Sequence, residues 1–242
     1  MVALLGAGIA AAATAAGWAA MDPKSQLYGR TFTGLRARNG RRWLALTYDD
    51  GPNDPWTPRL LEVLARHGVH ATFFMIGGYA AARPELARAV AEAGHEIGNH
   101  TFTHPNLVFA SGARLERELR DCDRALTDAL GAHSRLFRPP FGGRRPGTLS
   151  SVRRLGYEPV MWSVTGRDWK LDSAAAIEQQ VAPRTRAGDV ILFHDGSHHA
   201  FGADRGATVA ATDALIRRFR DQGFELVTVG AMIGVAEPGK TA

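Results

Sequence analysis

Short apolar, β-prone runs alternate strictly with amphipathic stretches along this 242-residue chain, and that alternation limits the folds open to it. The runs fall at residues 44–48, 71–75, 96–99, 134–138, 159–163, 190–194 and 225–229. Helical patterns fill the gaps at 58–67, 84–93, 113–130, 146–155, 173–185 and 208–222. A glycine follows each helix (Gly68, Gly94, Gly131, Gly156, Gly188, Gly223), and Pro58, Pro84 and Pro146 stand at three of their starts, the expected stop and start signals. Strand–helix alternation of this kind predicts a parallel α/β sheet. Seven strands with no dinucleotide-binding glycine motif predict a closed or nearly closed barrel. No repeat or low-complexity linker breaks the chain after residue 40, so residues 41–230 read as one domain, with a connector at 22–40 and a tail at 231–242.

A hydrophobic fraction of 45% is ample for a buried core. The net charge of +5 would allow an acidic partner, but the arginines carrying it are scattered, and lysine occurs only at Lys24, Lys170 and Lys240. There is no interleaved basic and aromatic stripe, zinc-finger spacing or phosphate-binding glycine loop, so nucleic acid is not an expected partner. Cys122 is the single cysteine and lies on the apolar face of a helical pattern, so it reads as a packed core thiol. Residues 1–21 carry no charged side chain and are rich in Ala, Gly and Leu. They are about long enough to span a bilayer, though they lack the basic start of a signal peptide. They are read as an export signal or membrane anchor, with a small-residue cleavage site near Ala19-Ala20; the competing reading is a buried or disordered Ala-rich helix. A protein exported to the cell envelope, secreted or anchored, and a monomer, is the expectation.

The chemistry lies where strands end. Thr47-Tyr48-Asp49-Asp50-Gly51-Pro52-Asn53 places two adjacent carboxylates at the close of the first apolar run. His100-Thr101-Phe102-Thr103-His104 follows the third with two imidazoles. Alone, the first is an ordinary turn sequence and the second a pair of surface histidines. Together, at the strand ends where α/β active sites form, one carboxylate and two imidazoles can hold a divalent ion with open positions for water and substrate. The other carboxylate is left as a base. The fourth run ends in Arg138-Pro139-Pro140-Phe141-Gly142-Gly143 and the sixth in Leu192-Phe193-His194-Asp195, while Trp162 to Trp169 brackets Asp168 with indoles.

This set of motifs resembles the polysaccharide deacetylase family, the NodB-homology group of carbohydrate esterase family 4, over about residues 40 to 230. The first two motifs match residue for residue; Arg138-Pro139-Pro140-Phe141 and Leu192-Phe193-His194 fit two later ones. The fourth departs: an Asp-x-x-Asp-Trp pattern reads Thr165-Gly166-Arg167-Asp168-Trp169, so only its second aspartate remains. The resemblance implies a single distorted (β/α)7-type barrel with its active site at the C-terminal ends of the strands, removing acetyl groups from an N-acetylated glycan. It implies that Asp50, His100 and His104 bind a divalent metal, commonly zinc or cobalt. Asp49 would be the general base and His194 the general acid. The Phe141 amide would stabilise the oxyanion, Arg138 would pair with Asp49, and Asp168 would tune His194. Two other readings compete: a carbohydrate-binding pseudoenzyme, and a metallo-amidase on a non-sugar acyl amine. Among the remaining polar and aromatic residues, Asn53 reads as a helix cap, and His198, His199 and Asp204 as solvated loop residues, with the rim of the cleft as the alternative. Trp56 and Tyr79 read as exposed-loop residues, and Trp162 and Trp169 as part core, part sugar-site wall.

Overall fold

The computed structural model describes residues 14, 16–35 and 40–236. A parallel sheet runs in the order β5-β4-β3-β2-β1-β7-β6, with β8 paired to the start of β1. Its strands are β1 (Trp43–Gly51), β2 (Thr72–Met75), β3 (Glu96–Asn99), β4 (Leu136–Phe137), β5 (Glu158–Pro159), β6 (Val164–Thr165), β7 (Val190–His194) and β8 (Glu225–Leu226). The sheet curls into a half-barrel flanked by helices: the expected distorted barrel, with its seam between β5 and β6. The helices are α1 (Trp56–Arg66), α2 (Gly77–Ala82), α3 (Pro84–Glu92), α4 (Gly112–Leu130), α5 (Thr148–Arg154), α6 (Ala174–Val181), α7 (Gly206–Asp221) and α8 (Val229–Ala236).

Strand β1 is buried throughout, and its alternation sorts the core into two faces. Leu44, Leu46 and Tyr48 pack outward with Leu60 and Leu64 of α1 and Leu215, Ile216 and Phe219 of α7. Trp43 and Ala45 point inward, onto Phe74, Val190 and, from α8, Val229, Met232 and Ile233. Burying each such side chain is worth about 1.5–3 kcal/mol, so both faces stabilise the strand. The next inward residues are Thr47 and Asp49, so the barrel interior turns from apolar at its floor to polar at its mouth.

Three expectations are corrected in position. The tail expected from residue 231 begins inside α8, whose Met232 and Ile233 are core residues. The connector is tied to the barrel by bridges from Phe32 to Val160 and from Gly34 to Asp189. The single strand expected at 159–163 is split between β5 and β6, because the carbonyls of Val160 and Met161 turn to accept from the Arg138 guanidinium. Of the expected export or anchor segment, residues 1–13 and 15 lie outside the described residues. Residues 16–21 are helical, with Ala19 and Ala20 buried. Among the described residues no helix is long and apolar enough to cross a membrane. Cys122 is a buried core thiol, as expected.

Candidate active site

Parallel register brings the strand-end residues together. Asp49 of β1 stands opposite His194 of β7, and Asn99, which precedes His100, stands opposite Phe137, which precedes Arg138. On a regular strand Asp49 and Asp50 would face opposite sides of the sheet. They do not, because the β1–β2 register shifts between Asp49 and Gly51 and Asp50 adopts a positive φ of 71°. A bulge of this kind re-aims a side chain. Thr101, His104 and Phe141 also hold positive φ, at 65°, 56° and 58°, so the backbone strain gathers around one site.

Asp50, His100 and His104 are all buried and offer three ligand atoms within 4.8 Å of one another. Asp50 Oδ1 lies 3.5 Å from His100 Nε2 and 3.1 Å from His104 Nε2, and it is buried without a hydrogen-bond partner. The Nδ1–H of His100 donates to the Arg138 carbonyl at 2.7 Å, which leaves Nε2 as the nitrogen with a free lone pair. Burial, then the neighbouring His100 and His198, hold the His104 imidazole below its ordinary pKa against the pull of Asp50, so it stays neutral as a ligand must. Burial alone would raise the Asp50 carboxyl; the imidazoles of His100, His104 and His198 outweigh it and hold the group well below the usual carboxylate range. A carboxylate oxygen without a donor, facing the Nε2 atoms of two imidazoles, fits a divalent cation.

Asp49 is held from the side opposite the imidazoles. Its Oδ1 accepts from Arg138 Nη1 at 2.7 Å, and its Oδ2 lies 3.7 Å from His100 Nε2. Arg138 is 0% exposed and fully engaged. It also donates to Thr47 Oγ1 and to the carbonyls of Val160 and Met161, and it lies over the Phe74 ring. His194 donates from Nδ1 to Asp168 Oδ1 at 2.9 Å, and its backbone N–H donates to Asp168 Oδ2 at 2.7 Å. The Thr208 hydroxyl donates to the same carboxylate. Burial pulls the His194 imidazole down, but Asp168 at its Nδ1, with Asp50 and Asp49 beyond, raises it to about 9. Asp195 turns away from His194 and accepts from the Thr57 hydroxyl.

These groups open onto a cavity of about 790 Å³ lined by Asp49, Asp50, His100, His104, Phe141 and His194, with Trp162, Trp169 and Leu192 as its apolar wall. Phe141 is 42% exposed on the Pro140–Gly142 turn, its ring edge-on to His104. Every residue singled out from the sequence as catalytic or metal-binding except Arg138 and Asp168 lines this cavity, and those two touch residues that do.

Other expectations change. His198 is not a solvated loop residue: it stacks on His104 at 4.3 Å and places Nδ1 3.4 Å from Asp50 Oδ2. His199 and Asp204, both exposed, also line the cavity. Asn53 does not cap α1; its amide donates to the carbonyls of Asp195 and Ala203 and so pins the loop after β7. Trp56 and Tyr79 lie on α1 and α2, half-buried, and the Tyr79 hydroxyl donates to the Ser197 carbonyl. Glu118 of α4 escaped sequence reading: it accepts from the Phe102 and Thr103 backbone N–H groups and the Thr103 hydroxyl, fixing the turn between the two imidazoles. Its signal was an acid beside Leu115, Leu119 and Cys122 on the buried face of a helix.

Comparison with known proteins agrees with this arrangement. A family model described as polysaccharide deacetylase matches residues 36–160. A chitooligosaccharide deacetylase of Sinorhizobium fredii is 40% identical over 195 residues, 78% of this chain and 91% of that protein. A peptidoglycan-N-acetylglucosamine deacetylase of Bacillus cereus is 34% identical over 197 residues, 81% of this chain and 90% of that protein. Among solved structures, the Bc1960 peptidoglycan N-acetylglucosamine deacetylase superposes with a TM-score of 0.77 at 32% identity, covering 84% of this chain and 91% of its own. A CE4 family pseudoenzyme from Bacillus anthracis superposes with a TM-score of 0.74 at 27% identity, covering 82% and 68%.

Proposed function

Because the chain belongs to the polysaccharide deacetylase family, we propose that its cavity hydrolyses N-acetyl groups on a cell-wall or extracellular glycan. The chain is a metal-dependent deacetylase; the glycan, the metal and the residue roles are the inference. The observation that carries it is the meeting of Asp49, Asp50, His100, His104 and His194 at one cavity. A bound divalent cation, zinc or cobalt by its nitrogen-rich donor set, supplies acidity to water and polarises the acetyl carbonyl.

Asp49 takes the proton of the attacking water, and Arg138 fixes the carboxylate oxygen that faces away from the imidazoles. His194, its Nδ1 committed to Asp168, gives a proton to the departing nitrogen from its other ring nitrogen. The Phe141 amide offers a hydrogen bond to the developing oxyanion, a donor worth about 3 kcal/mol. Trp162 and Trp169 supply aromatic faces for a sugar ring, and the cavity is far larger than an acetyl group needs, which favours a glycan over a simple acyl amine. Intact Asp49 and His194 distinguish this reading from a binding-only pseudoenzyme. Export or anchoring is assigned to the residues before Ala19, because Ala19 and Ala20 are buried in the fold and a relative is named for peptidoglycan, a cell-wall polymer.

Acetate release from chitooligosaccharides and peptidoglycan fragments, with and without chelator, tests the function. Metal-dependent release from either supports it, and no release from any glycan would favour a binding protein. Asp49→Asn should abolish turnover and retain metal by elemental analysis, whereas His100→Ala should lose both. Metal loss in Asp49→Asn would mean that the two aspartates exchange roles.

A further inference from the structure

Arg144 lies outside the chemistry assigned above and joins two parts of the chain that are far apart in sequence. Its side chain is 0% exposed, and among the described residues no carboxylate forms an ion pair with it. Its Nε is buried without a partner, and its Nη1 and Nη2 donate to main-chain carbonyls. Nη1 donates to Gly142 at 2.8 Å, and Nη2 donates to Asp22 at 2.6 Å and Ser25 at 2.7 Å. Its backbone N–H donates to the Ala20 carbonyl at 2.9 Å. A buried cation that meets a carboxylate, Asp22, only at longer range is costly, and an apolar side chain would fill the same space more cheaply. What the arginine provides that an apolar group cannot is a fixed distance between residues 20–25 and the Pro140–Gly142 turn.

Gly142 is the contact point. A Cβ there would meet Met161 Cε at 3.0 Å, Trp162 Cη2 at 3.1 Å and the Met21 carbonyl oxygen at 3.4 Å. One residue earlier, Phe141 holds its φ of 58°, a conformation that costs a non-glycine residue of order 1–3 kcal/mol and persists only where the surroundings over-determine it. Met161 and Trp162 restrain the turn from the barrel side, and Met21, with the Asp22 and Ser25 carbonyls held by Arg144, restrains it from a segment that precedes residue 36, where the family match begins.

We propose that residues 19–25 form a strap that acts through Arg144 to hold the Phe141 backbone in place, making Arg144 a positioning residue for the reaction. The structural half of this stands on the contacts above; the kinetic half rests on the reading of Phe141 as oxyanion donor. Two full-length variants test it from opposite sides: Arg144→Met in the loop, and Ala19→Glu, which places a charge at a fully buried strap position and leaves Arg144 intact. Both should raise amide hydrogen exchange at residues 141–145 at least tenfold while β1 and β3 keep their protection. Both should lower kcat about ten- to a hundredfold, as small misplacements of catalytic groups do. KM and metal affinity should stay within twofold, and Arg144→Lys should recover part of the loss. Unchanged exchange in a folded variant overturns the strap. Faster exchange with wild-type kcat overturns instead the reading of Phe141, and with it the positioning role. Should Arg144→Met fail to fold, Ala19→Glu decides alone.

Discussion

His194 and Asp168 show how one residue contact sets the working range of the site. The imidazole is raised to about 9 because Asp168 at its Nδ1 outweighs burial, which alone would lower it. In the proposed role of general acid, an imidazole raised in this way would stay protonated through neutral pH, and its step would fail at alkaline pH. Asp168→Asn removes the main raising partner and leaves burial opposed only by the more distant Asp50 and Asp49. The alkaline limb of kcat should therefore move to lower pH, with metal affinity little changed. Thr165, where the family pattern has its other aspartate, accepts only a 3.3 Å bond from the Arg167 backbone N–H in this network, so Thr165→Val should be mild. A pH–rate profile for the two variants checks the ranking; the reverse order would mean that His194 is tuned by some other group.

At the scale of elements, the site depends on helix α4 as much as on the strands. Glu118 satisfies three donors of the loop carrying His100 and His104, and removing it leaves two part-buried amides and a hydroxyl without that partner. Glu118→Ala should cost about 2–3 kcal/mol of stability and weaken metal binding about tenfold, with Glu118→Gln between it and wild type; thermal melts and metal titration measure both. That dependence was hidden in the sequence, where Glu118 is one charge among many on a long helix and its partners are backbone groups. The strands were legible for the opposite reason. Strands β3 and β7 occupy the predicted spans because apolar, β-prone runs bounded by turn signals are what a parallel sheet requires. Residues 159–163 misled because their apolar composition suits a strand, while their carbonyls are diverted to solvate Arg138. His198 was half legible: its place just past the sixth run allowed the rim of the cleft, but nothing local to Ser197-His198-His199 reports that Asn53 pins this loop over it. Asp49, Asp50, His100 and His104 were readable because their spacing and their place at strand ends are local facts.

For the whole molecule, the graded barrel interior makes folding and metal loading interdependent. The floor is sealed by Val229, Met232 and Ile233, whereas the mouth concentrates two carboxylates against a single buried arginine. A cation that binds only the folded state stabilises it by mass action, about 4 kcal/mol at a thousandfold excess over Kd. Chelation should thus lower Tm, re-addition should restore it, and His104→Ala should show neither response. The bulge at Asp50 has a consequence of a different kind. An aspartate with φ of 71°, buried beside a second carboxylate, is a poor choice for stability alone. Asp50→Gly should give a metal-blind protein in which relief of the strained φ is offset by loss of the carboxylate's favourable contacts with the imidazoles, so its melt in chelator should lie close to the parent's. The strained turn and the seat of the cation are thus the same residue, so the backbone at this corner cannot be relaxed without giving up the metal.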